Sequence, residues 1–142
     1  MPDGVMKIIP SFELRVQLPL SFSSILSDET YACPTLKWLT WDFWTWFKSK
    51  RWELGLTTWK RNNDCDNFAR AYAQYAADCH ALTTDAAEGL AVGEFYYTRA
   101  DGAKHAIIVA LTDVGVVYIE PQLGTQLMLT PQEIASCFFV HV

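Results

Sequence analysis

Hydrophobic residues recur at three- and four-residue steps in two stretches of the chain. From Pro34 to about Lys50, Leu36, Leu39, Phe43, Trp46 and Phe47 trace one helical stripe and Trp38, Trp41 and Trp44 a second, which predicts a helix buried on two sides. Cys65, Ala69, Tyr72, Ala76 and Cys79 trace a single face, so a second helix begins at Cys65, capped by Asn63 or Asp64. Beyond Gly89 the period shortens. Glu94 to Arg99, His105 to Leu111 and Val116 to Ile119 are β-branched or aromatic runs separated by turn-forming residues, the pattern of consecutive antiparallel strands. Thr125 to Leu129 reads as another strand. Thr130-Pro131-Gln132-Glu133 carries a capping box with proline at the first helical position, and Phe138 to Val142 supplies a closing strand.

Residues 1–30 mix short apolar runs with Pro10, Pro19 and the serines 21, 23 and 24, and are read as an irregular or edge-strand arm without a helix. Helices first and a meander afterwards predict an α+β fold. With no repeat or linker, residues 1–142 read as one domain: an arm over 1–30, a core over 30–122 and a strand-helix-strand closure over 123–142.

Composition narrows the function. Of 142 residues, 51% are hydrophobic and 19% charged, which suits a folded core and not a disordered chain. The net charge of -5 argues against a general grip on nucleic acid, and the basic positions Lys48, Lys50, Arg51, Lys60 and Arg61 do not reverse that. No signal peptide or membrane-length apolar run is present, so the expectation is a cytoplasmic protein without membrane contact. The four cysteines include no CxxC spacing, which disfavours structural zinc, and a disulfide framework is the weaker alternative.

The chemistry concentrates at Asn63-Asp64-Cys65-Asp66-Asn67. A thiol in the first turn of a helix meets unpaired N–H groups and the positive end of the helix dipole, both of which favour the thiolate. A hairpin turn centred between Asp113 and Val114 sets His105 opposite Gln122 and Ile107 opposite Glu120. Glu120 is then the diagonal neighbour of His105 on one face, within reach of an imidazole nitrogen. The competing readings are a buried structural cysteine, an edge histidine and an ordinary strand-end glutamate.

Asp64-Cys65-Asp66-Asn67-Phe68-Ala69, His105-Ala106-Ile107 and Ile119-Glu120-Pro121-Gln122 together resemble the papain-like, transglutaminase-like cysteine peptidase pattern. The closest wording is that of the C-terminal cysteine-protease domain of fungal agglutinins and of small bacterial and phage proteins similar to it. The resemblance implies a papain-like fold over residues 30–122 and a thiol protease with Cys65 as nucleophile, His105 as base and Glu120 as orienter. It implies hydrolysis of an amide or peptide bond in a peptide or protein substrate, through an acyl-enzyme. The glutamine that papain relatives place ahead of the cysteine is missing, so Asn62, Asn63, Trp59 or Gln122 is expected to supply the second oxyanion or orienting group. The triad requires no cofactor; calcium is implied by the agglutinin-type relatives, with Asp64 and Asp66 as the positions to suspect.

Two other outcomes stay open at this stage. One is an inactive copy of the fold acting as an inhibitory, phage-type accessory module that binds a partner protein through the tryptophan-rich face. The other is a transglutaminase or amidase using the same triad. Trp38, Trp41, Trp44, Trp46, Trp52 and Trp59 are read chiefly as core. Cys79-His80 with Asp78 and Asp85 lacks ligand spacing, and Cys33, Cys137 and His141 are read as structural.

Overall fold

The computed structural model describes residues 5–18, 24–83 and 87–142. Among them the elements run β1 (Val5–Pro10), α1 (Ser11–Gln17), β2 (Ser24–Ile25), β3 (Thr30–Pro34), a π-helical turn (Trp38–Asp42), α2 (Phe43–Glu53), α3 (Cys65–Thr83), β4 (Gly89–Leu90), β5 (Val92–Thr98), β6 (Lys104–Thr112), β7 (Gly115–Glu120), β8 (Thr125–Leu127), α4 (Pro131–Ala135) and β9 (Phe139–His141). The strands form a six-stranded sheet, β2-β9-β5-β6-β7-β8, and a three-stranded sheet, β1-β3-β4.

This corrects the expected α+β order of N-terminal helices on one antiparallel meander. Both sheets are mixed, because β2 runs parallel to β9 and β3 parallel to β4. The expected arm contains β1 and α1. Pro10, read as a breaker, stands at the N-cap of α1 with φ of -72°, Glu13 follows in the first turn, and Leu14 is fully buried. Proline's fixed φ is compatible with a helix start, where its missing N–H has no partner to lose. Pro19, Ser21 and Ser23 lie outside the described residues.

Strand β6 is buried on both faces. Ala106, Ile108 and Ala110 pack with Leu39, Phe43, Phe47 and Tyr72 beneath α2 and α3, whereas Ile107, Val109 and Leu111 pack with Ile9, Leu14, Tyr31 and Phe95 on the other side. Three layers result: helices, the large sheet, and the small sheet with α1. The second tryptophan stripe does not stay together. Trp38 is 6% exposed and Trp41 67% exposed, because the π-helical turn shifts the angular phase between them.

Within the helical layer, Tyr72 meets Phe43 edge-on at 4.8 Å between ring centres and donates its hydroxyl to the Leu39 carbonyl at 2.6 Å. Burial pushes the Tyr72 phenol well above its usual range, so it remains a donor. Tyr72→Phe is expected to lower unfolding stability by about 1–2 kcal/mol in urea titrations, the usual result of unpairing a buried carbonyl.

Candidate functional site

The β6-β7 hairpin has the register expected from its turn, with Ile108 opposite Ile119 and Thr112 opposite Gly115. Its far end brings His105 to Glu120: imidazole Nε2 lies 2.8 Å from carboxylate Oε2, and both side chains are about 15% exposed, at 15% and 14%. An ionised carboxylate only accepts, so Nε2 carries the proton and the Nδ1 lone pair is left to act as a base. The other carboxylate oxygen, Oε1, accepts the Gln122 backbone N–H at 3.3 Å. Tyr97, directly across β5 from His105, meets the imidazole edge-on at 6.0 Å.

The turn after β7 holds that carboxylate still. The Glu120 carbonyl accepts N–H groups from Leu123 at 3.2 Å and Gly124 at 2.8 Å. Trp44 of α2 donates its indole N–H to the Pro121 carbonyl at 3.1 Å. Gly124 has φ of +67°, and a Cβ there would stand 2.2 Å from the Trp44 ring, so both backbone conformation and space require glycine. Neither Trp44 nor Gly124 is singled out by the sequence. The available signal is the glycine closing Pro121-Gln122-Leu123-Gly124, which marks a tight turn without saying what it packs on.

Cys65 is the first residue of α3 and is partly buried, whereas Cys33 and Cys79 are buried. Asp64 occupies the cap position: its carbonyl accepts the Phe68 N–H at 3.1 Å and its own N–H donates to Asn67 Oδ1 at 3.2 Å. Cys65 packs against the helix-side core, as does Tyr96, the cross-strand partner of Ala106. Arg70 bridges Asp66 at 3.1 Å and Glu94 at 3.8 Å, tying the first turns of α3 to β5. Phe68, one turn after Cys65, lines a small cavity of about 60 Å³ with Trp44, Pro121 and Gln122. Cys65 belongs to the helix-side face, whereas His105 alternates along β6 with Ile107 and Val109 of the opposite face, and no hydrogen bond joins the two.

The proposed oxyanion groups fare unevenly. Asn63 is 2% exposed and fully committed. Its Oδ1 accepts from Arg51 Nη2 at 2.6 Å, and its amide donates to the Leu56 and Thr58 carbonyls at 3.2 and 3.0 Å. It pins the loop between α2 and α3 and has no donor to spare. Asn62 and Trp59 are exposed, the latter at 60%, and Gln122 contributes its backbone N–H to Glu120.

Asp64 and Asp66 stand side by side at the start of α3. Among the described residues no cluster of three or more His, Cys, Asp or Glu side chains could hold a metal, and two carboxylates leave most of a six-to-eight-oxygen shell unfilled. Of the positions read as structural, His80 Nε2 meets the Glu88 carbonyl at 3.1 Å, and His141 lies 3.2 Å from Ser27 Oγ and 3.6 Å from Glu94. Asp85 lies outside the described residues. No helix among the described residues is long and apolar enough to cross a membrane.

No family model and no curated protein matches the chain. Solved structures do. The Polyporus squamosus lectin, bound to the human-type influenza-binding epitope Neu5Aca2-6Galb1-4GlcNAc, aligns with a TM-score of 0.68 and 24% identity over 89% of this chain and 44% of that one. A structure described as the PSL1a-E64 complex aligns with a TM-score of 0.76 and 22% identity over 95% and 51%. The chain thus shares its fold with part of these two structures and spans about half the length of their chains.

That finding replaces the papain-like, transglutaminase-like assignment, since of the structures sharing the fold one is named for a lectin and neither for a peptidase. The activities that rested on the resemblance are withdrawn with it: the thiol hydrolase of amide or peptide bonds, the transglutaminase or amidase, and the inactive protein-binding module. A peptide or protein substrate is withdrawn as well.

Asp64 generates a test. Its carboxyl is held above the usual range, first through a shared hydrogen bond with Asp66, then through desolvation and the Asp66 charge. Oδ1 is shielded and unpartnered. A raised carboxyl pKa favours the fold at low pH, and that contribution disappears as pH rises through the folded-state value. Asp64→Asn, a mimic of the neutral acid, is therefore expected to raise the melting temperature at pH 7 and leave it nearly unchanged at pH 3.

Proposed function

We propose that the chain carries a reactive-thiol site in which Cys65 is the nucleophile, His105 its base and Glu120 the group that orients the imidazole. The observation that supports it most directly is the 2.8 Å His105–Glu120 bond, which directs the free lone pair to Nδ1. Cys65 stands at the start of a 19-residue helix, among backbone N–H groups that have no partner within the helix. Iodoacetamide probes the site: sulfur bonds to the methylene carbon, iodide leaves with its electron pair, and His105 takes the thiol proton.

Alkylation of Cys65 at pH 6.5, measured with the other three cysteines replaced by serine, is expected to fall about tenfold in His105→Ala and by less at pH 9, where a thiol ionises without help. Equal rates in parent and variant at pH 6.5 would overturn the assignment.

A second reading comes from the likeness to a lectin solved with a sialylated glycan. Trp41, Trp52 and Trp59 are 67%, 74% and 60% exposed, and flat amphipathic rings offer stacking surfaces to the apolar faces of sugars. On this reading, titrating Neu5Aca2-6Galb1-4GlcNAc shifts the indole NMR signals of one or more of these residues in a saturable way. Spectra unchanged at about millimolar glycan, the weak end of specific recognition, would exclude it.

A further inference from the structure

We propose that Trp44 is a positioning residue for the His105–Glu120 pair, acting through the turn over residues 121–124; the inference deepens the reactive-thiol reading and rests on it. Trp44 belongs to α2, in the helical layer, and forms no hydrogen bond with His105 or with the Glu120 carboxylate. It grips the turn at both ends. Its indole N–H donates to the carbonyl of Pro121, the residue next to Glu120, at 3.1 Å. Its ring lies over Gly124 so closely that one added carbon would stand 2.2 to 2.5 Å from three ring atoms.

Gly124 in turn donates its N–H to the Glu120 carbonyl at 2.8 Å, and Gln122, between the two grips, donates to Glu120 Oε1 at 3.3 Å. The carboxylate is therefore aimed by backbone groups of a turn whose own position is set by one indole. A displacement of a few tenths of an ångström lengthens the Gln122 contact beyond hydrogen-bond range and frees the carboxylate to rotate away from Nε2. A ring serving only to fill space would need no polar atom. Here the N–H is directed at a specific carbonyl, and Lys48 Nζ covers the ring at 5.1 Å from its centre, limiting how far it can tilt.

The test separates positioning from packing. Trp44→Phe keeps an aromatic ring and removes the donor, Gly124→Ala keeps the indole and displaces it, and Glu120→Gln is the benchmark for a lost orienter. Nitrogen NMR of the imidazole reads which ring nitrogen of His105 carries the proton. The parent is expected to show the Nε2–H form, and both Trp44→Phe and Gly124→Ala a mixture approaching that of Glu120→Gln. Cys65 alkylation at pH 6.5 is expected to fall about fivefold in each, within the range that loss of base orientation produces, with a smaller change at pH 9.

A parent-like Nε2–H signature in folded Trp44→Phe overturns the proposal. If Trp44→Phe does not fold, benzothienylalanine at this position, isosteric but without the donor, decides the same question. Failure of the reactive-thiol reading shows separately, as alkylation indifferent to His105→Ala, while the imidazole signature still judges Trp44.

Discussion

The arrangement depends on one strand having no polar face. From Ala106 to Thr112 every residue of β6 is buried, so the strand must be covered on both sides. Helices α2 and α3 cover one face and the small sheet with α1 the other, and neither layer alone would remove its apolar surface from water. His105 and Lys104 are where that run ends. Lys104 is exposed and His105 half-buried, so the imidazole sits at the boundary between a dry core and solvent.

At such a boundary a polar group needs a partner that does not drift. Glu120 fulfils this because its carboxylate is fixed by neighbours on two sides, one side chain and one backbone amide. Three backbone N–H groups of a four-residue turn converge on Glu120, and the turn is fastened to a helix remote in sequence. The carboxylate's order is thus inherited from tertiary packing, while its identity and its neighbour come from the hairpin. Asn63 does the corresponding work on the other side of the site. It accepts from a buried guanidinium and donates to two carbonyls at once, which holds the approach to α3 without introducing a second charge.

What could be read from sequence follows from how local each determinant is. The face of α3, the hairpin register that pairs His105 with Glu120, and the Thr130–Glu133 capping box depend on residues close in the chain and were legible. Helix α1 was not, because Pro10 and the short apolar run before it signal interruption, while the burial of Leu14 that stabilises the helix is supplied by other layers. The two parallel pairings were equally hidden, since β2 meets β9 across more than a hundred residues. Asn63 looked available for chemistry because its side chain is polar and adjacent to Cys65; the structure shows its hydrogen bonds already made. The motif wording around Cys65, His105 and Glu120 pointed to a peptidase family, whereas overall shape matches two structures, one named for a lectin and neither for a peptidase. Short motifs report a local constellation, and a fold can host several.

The position of β9 sets the timing of assembly. Residues 139–141 insert between β2 and β5, next to Gly93, where a Cβ would collide with the His141 carbonyl. During synthesis β5 through β8 can pair as soon as they emerge, but β2 must wait for more than a hundred later residues before it has a neighbour in the large sheet. Until then the growing chain exposes an open strand edge along β5, the kind of surface on which nascent chains associate. The first half of the molecule cannot finish folding until β9 has been made.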